Sequence, residues 1–344
     1  MDELISSTPA VQGAVAQTVD ALLQACAHIC EAKGEDAWIL LERTLSACPS
    51  VAAWWGHGAT AAVEGGGGHG IPVVREEEDQ DDQAARCLVT LTVVGQCAEA
   101  GRPQELGVVF AVWSHPRPGM PVQAGDFLQA GDQMQAAGYL LLGRGAVLAV
   151  SMGSGVSLLE LEGCAWGVSH AAWRSPQDGG EIAVNASRQR FWDKALQRYV
   201  AECLAGEGGA RLRDFGLHWA GHAVADAHRV LVCGGVLLAP QWTEPGEGLK
   251  LANTGPDRVA ENRGWSLLAL AAPLAWLVVQ AGGHASTGTG PLLELQPEQI
   301  DQEVAVFLGE RAEVERVARY HSDPLENMPW QLFKTRSLFV QPQV

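Results

Sequence analysis

Between Cys87 and Leu161 the apolar residues abandon the helical spacing found on either side and gather into short runs bounded by turn residues. These runs, Cys87–Val94, Gly107–Trp113, Tyr139–Leu142, Ala146–Ser151 and Ser157–Leu161, predict strands. Upstream, Val15, Val19, Leu22, Leu23, Cys26 and Ile29 recur at helical spacing over Ala14–Ala32, with Lys33-Gly34 as a stop, and a second helix is predicted over Ala37–Ala47. Downstream the helical period returns over Phe191–Leu204 and over His218–Val232, which feeds an apolar strand at Gly235–Ala239. Ser266–Gln280 reads as a long buried helix ended by Gly282-Gly283. Helices, a strand-rich centre, then alternating helix and strand predict a layered α/β or α+β body in two halves.

A chain of 344 residues, 47% of them hydrophobic, can bury an extensive core, so it reads as globular. No apolar run reaches the roughly 20 residues that span a bilayer, and Met1 to Ala10 lacks the basic and apolar regions of a signal peptide. The expectation is a soluble, intracellular protein without membrane insertion. A net charge of −17 with no compensating basic stripe argues against nucleic acid. Eight cysteines without a CxxC pair fit reduced thiols, with a Cys87–Cys97 redox pair as the alternative. Gly65 to Gly68 reads as a flexible turn, because no Lys, Ser or Thr follows as a phosphate cradle requires. Glu76 to Asp82 (EEEDQDD) reads as a solvated acidic run.

Several segments resemble the class I fructose-1,6-bisphosphatases in order and spacing. Leu106 to Trp113 (LGVVFAVW) is similar to the family's VGTIFGIY, and Leu128–Gly131 with Ala136–Tyr139 to LQPG and AAGY. Val224–Arg229 with Gly234–Val236 resembles VADVHR and GGI. Pro273–Trp276, Ala281–Gly283 and Ser286–Gly288 resemble PMAY, AGG and TTG, and Val306–Gly309 resembles VILG. The matches run from about 106 to 310. The resemblance implies the layered α-β-α-β-α sugar phosphatase fold, an α/β class, with residues 1–180 as the metal and regulatory half and 181–344 as the sugar-phosphate half. It also implies a homo-oligomer or another protein partner.

Family chemistry sets two or three divalent cations, normally Mg²⁺, among acidic side chains, because hard cations need oxygen ligands. The family's first pair of glutamates matches Glu76 and Glu77. Counting back from Gly107, the DPLDGSS motif falls on Thr92 to Ala98, so both aspartates are lost, to Thr92 and Gly95. Its two serines become Cys97 and Ala98, and a last family glutamate becomes Leu270. Of the sugar-binding positions, the asparagine is kept as Asn185, its tyrosine partner becomes Arg188, and a subunit-crossing arginine becomes His218. A further tyrosine becomes Ala239, and a lysine aligns near Gly264.

The resemblance therefore implies a degenerate phosphatase acting as a binding, regulatory or structural subunit, with no cofactor expected. An altered sugar-bisphosphate phosphatase remains the alternative, holding Mg²⁺ on Glu76, Glu77 and other acids such as Glu99. New chemistry is the third reading: His218, His222 and Asp226 fall at i, i+4 and i+8, which on a helix would share one face and could bind a transition metal. Twelve tryptophans against three tyrosines also stand out; each one reads first as core packing, with Trp54-Trp55 and Trp242 the best candidates for interface anchors.

Overall fold

A computed structural model describes residues 9–32, 37–58, 73–74, 86–95, 105–163, 165–241 and 264–322. Helix α1 (Pro9–Glu31) begins five residues before the predicted start at Ala14, because a proline in the first turn removes only an N–H that has no helical partner. It buries Val15, Val19, Leu22, Cys26 and Ile29. With α2 (Ala37–Ala47), whose bounds match the prediction, it forms the outermost layer.

That layer covers an eight-stranded sheet. Its strands are β1 (Val51–Gly58), β2 (Val73–Val74), β3 (Cys87–Val94), β4 (Leu106–Ser114), β5 (Ala136–Leu142), β6 (Ala146–Ser151), β7 (Val156–Glu162) and β8 (Ala165–Trp173). The order is β2-β1-β3-β4-β5-β6-β7-β8, antiparallel throughout except for the parallel β1–β3 pair. Alternate residues serve opposite cores, as the strand period of two requires. Cys87, Val89, Leu91, Val108, Phe110 and Val112 meet α1 and α2, whereas Leu88, Val109, Ala111 and Trp113 face the middle of the protein. Trp54 obeys the same alternation. It is buried beneath the helices, as the core-packing reading expects and contrary to the interface alternative, while Trp242 lies outside the described residues.

The next segments, β9 (Glu181–Val184), α3 (Lys194–Leu204), β10 (Gly216–His218), α4 (Ala223–Cys233) and β11 (Val236–Ala239), begin the second half. There follow β12 (Trp265–Ser266), α5 (Ala272–Gln280), β13 (His284–Ser286), β14 (Glu303–Val304), β15 (Val306–Gly309) and α6 (Arg311–Ser322). A five-stranded sheet runs β10-β9-β11-β15-β13, its first three strands parallel, and β12 pairs with β14. Helices α4 and α5 fill the space between the two sheets, and α3 and α6 cover the far side of the second. The result is the five-layer α-β-α-β-α arrangement that the resemblance implied.

Three predicted helices were too long, the one over Phe191–Leu204 because Asp193 caps it and the helix starts at Lys194. Residues 267 to 271 form a π-helical turn, with the Ala272 amide donating to the Leu267 carbonyl, and the α-helix starts only at Ala272. Pro273 supplies the reason: it has no N–H for the Ala269 carbonyl one turn back, and its ring crowds that carbonyl. The Leu268 carbonyl instead accepts from the Thr90 hydroxyl at 3.0 Å. The helix expected over His218–Val232 begins at Ala223, because Gly216, Leu217 and His218 pair in parallel with Glu181, Ile182 and Ala183.

Glu310 ties the second sheet to its neighbours. One carboxylate oxygen accepts from the Gly179 amide at 2.5 Å and the Gly235 amide at 2.7 Å. Here backbones touch directly: a Cβ on Gly235 (φ +92°) would strike the Glu181 carbonyl, and one on Gly309 would strike the Gly235 carbonyl. Nearby, Arg211 pairs with Glu313 at 2.5 Å, both buried, and Tyr199 donates to the same carboxylate at 2.7 Å.

The outer helices are joined by His321 at the end of α6, whose Nε2 lies 3.1 Å from Asp193, the N-cap of α3. Its Nδ1 lies 2.8 Å from the Val317 carbonyl. With acceptors at both nitrogens the imidazolium is favoured, and the Asp193 bond raises its pKa above the ordinary value despite burial. A raised folded-state pKa means that the stabilisation is complete below the unfolded pKa and is lost as pH rises through the folded one. The Tm difference between wild type and His321→Gln should therefore be largest near pH 5.5 and shrink by pH 8; a pH-independent difference would refute the assignment.

Candidate functional site

β3 ends beside the inner π-helical turn, which brings Thr92, Val94 and Gly95 to the same end of the sheet as α4's first turn. Thr92 is buried and its hydroxyl has no partner among the described residues. Leu270, in the π-helical turn, packs against the inner apolar core. Gly95 sits at φ +102°, and a Cβ there would strike the Glu105 carbonyl and come within 3.1 Å of His222 Nε2. Across the strand pair, a Cβ on Gly107 would meet the Val224 side chain at 2.6 Å and the His222 ring at 2.8 Å. His222 thus fills the space that these two glycines leave.

His222 is fully engaged there. Its Nδ1 accepts from the Ala225 amide at 3.2 Å, capping α4, and its Nε2 lies 3.3 Å from the Val94 carbonyl, to which it can donate. Burial lowers its pKa, in keeping with the neutral Nε2–H form that those two partners require. Asp226, wholly buried in the first turn of α4, accepts from the Ala220 amide at 2.8 Å and stands 3.4 Å from His218 Nε2. Its second oxygen has no partner among the described residues, and burial raises its pKa.

The shared helical face expected for His218, His222 and Asp226 does not form, since His218 ends a strand, His222 caps the helix and only Asp226 is inside it. His218 and Asp226 meet, but His222 has no nitrogen to spare. Among the described residues no group of three or more His, Cys, Asp or Glu side chains is arranged to hold a metal ion. Sequence reasoning missed the wedge role of His222, for which no local pattern gives a signal.

The parallel strands β9, β10 and β11 end together, with His218 beside Ala183 and Val184 beside Leu238. Asn185, His218 and Ala239 therefore share one edge, the usual binding edge of an α/β sheet. The Asn185 side-chain oxygen accepts from the Ser187 hydroxyl at 2.6 Å. Arg188 follows in a 3₁₀ turn, half-buried and with no ion-pair partner among the described residues. Glu76, Glu77, Cys97, Ala98 and Glu99 lie outside the described residues.

Residues 175–253 and 256–322 match the family model for the fructose-1-6-bisphosphatase C-terminal domain. A protein of Methylibium petroleiphilum named fructose-1,6-bisphosphatase class 1 1 is 40% identical over 341 residues, covering 96% of this chain and 85% of that one. A second from the same organism, fructose-1,6-bisphosphatase class 1 3, is 38% identical over 239 residues, covering 69% of this chain and 63% of that one. The chain belongs to the class I fructose-1,6-bisphosphatase family. Thr92, Gly95 and Leu270 offer no anionic oxygen, and Mg²⁺ needs oxygen anions, so the described residues at this end of β3 do not by themselves fit that ion. No helix among the described residues is long and apolar enough to cross a membrane.

Gly95 holds its present conformation only without a side chain. Gly95→Ala should cost at least about 1–3 kcal/mol in urea unfolding from backbone strain alone. Gly145→Ala, where a Cβ meets nothing within 4 Å, should change stability by less than about 1 kcal/mol. Equal effects would contradict the tight packing at Gly95.

Proposed function

We propose that this chain is a catalytically degenerate fructose-1,6-bisphosphatase family member with a binding, regulatory or structural-subunit role. The observation that supports the reading is the end of β3, where a threonine hydroxyl unpartnered among the described residues, a side-chain-free glycine and, in the adjoining turn, Leu270 stand where the resemblance places acids. On this reading residues 1–180 are the degenerate metal half, and residues 181–344 are the ligand-binding half, with Asn185, Arg188 and His218 at its edge. His218 faces Asp226, so it contributes less positive charge to an anion than the arginine it replaces. Each charge-assisted bond lost to a sugar phosphate removes about 1.5–3 kcal/mol, which makes tight binding of fructose bisphosphate unexpected. A homo-oligomer or a complex with another protein is the working state, in a soluble intracellular setting.

A second reading, a sugar-bisphosphate phosphatase with an altered Mg²⁺ site, is favoured by the 40% identity to a protein named as the phosphatase. It would rest on Glu76, Glu77 and further acids such as Glu99. Purified protein given fructose 1,6-bisphosphate and Mg²⁺ should release no phosphate above background. Turnover that disappears in Glu76→Gln would establish the second reading and remove the first.

A further inference from the structure

On the opposite side of the second sheet from α4, β13, the turn Thr287–Gly290 and the last turns of α6 enclose a surface cavity of about 380 Å³. Its walls carry His284, Ser286, Thr289, Gly290, Glu315 and Arg319. The turn is fixed from within: the Thr287 amide donates to the Gly290 carbonyl at 2.9 Å and the Gly288 amide to the Ser286 hydroxyl at 2.9 Å. The amides of Thr289 and Gly290 donate to no acceptor among the described residues.

Charge sharpens the picture. Glu315 is offset by Arg311, one helical turn earlier, at 3.8 Å. Arg319 has no ion-pair partner among the described residues, although the whole chain carries −17. The cavity therefore combines an uncommitted guanidinium, two uncommitted turn amides, the Thr289 hydroxyl and the half-buried His284 imidazole. Turn amides beside a cation are the elements from which oxyanion sites are built.

We propose that this cavity binds a phosphate-type oxyanion, as the free ion or as the terminal group of a small phosphomonoester, since its volume exceeds what one phosphate fills. The site is separate from the strand edge bearing Asn185 and Arg188 and does not depend on whether the chain is catalytic. Isothermal titration of the full chain with inorganic phosphate and, separately, with glycerol phosphate tests it. Saturable binding by wild type should weaken about tenfold to a hundredfold in Arg319→Gln, the loss of one charge-assisted contact. Thr289→Pro, which removes a turn amide, should weaken it as well. Tighter binding of glycerol phosphate assigns the monoester, and equal binding assigns the free ion. No saturable binding by wild type overturns the proposal. So does binding that survives Arg319→Gln but is abolished by Arg188→Gln, which would put the anion at the strand edge.

Discussion

Both sheets lean on the same two helices. From Ala272 to Val278 every residue of α5 is buried, because the helix touches β4, β5 and β6 on one side and β13 and β15 on the other. A helix that is apolar all round can be stable only where no face reaches water. α4 shares the layer through Val224, Ala227, Val230 and Leu231, and its mid-helix His228 reaches in to the buried Tyr139 hydroxyl at 2.8 Å. The position of every other element follows from this dry central layer, including the π-helical turn that introduces α5 and the helix start that presents His222 to β3.

The layer leaves the architecture independent of the polar groups at the end of β3. Leu270 adds apolar contact to a core that is already apolar, so a leucine there is compatible with the packing. Thr92 is less comfortable, with a buried hydroxyl lacking a partner among the described residues, a cost of about 1–3 kcal/mol when no compensating bond is made. The neighbouring Thr90 shows the satisfied version of the same residue, donating to Leu268 and accepting from the Trp113 indole at 3.1 Å.

Much of the layering was legible because core-facing strands alternate cleanly. The predicted β3 and β6 coincide with the observed strands, and α2 does too. β8 was missed because an edge strand with one neighbour is mostly exposed and has no apolar alternation to display. β9 and β10 were missed because strands of three or four residues are too short to show a period. At the site, the residue types were legible in the sequence, but the His222 wedge was not. It depends on two glycines and a helix cap brought together from segments more than a hundred residues apart.

Where Gly235, Gly309 and Glu310 meet, main chains cross with no space for a methyl group between them. Segments of this kind persist through long divergence because geometry forbids almost every replacement, whatever reaction the protein does or does not perform. The Gly234–Val236 stretch, one of those that resemble the phosphatases, is thus a record of how two strands pass one another. Kinship read from it is kinship of shape.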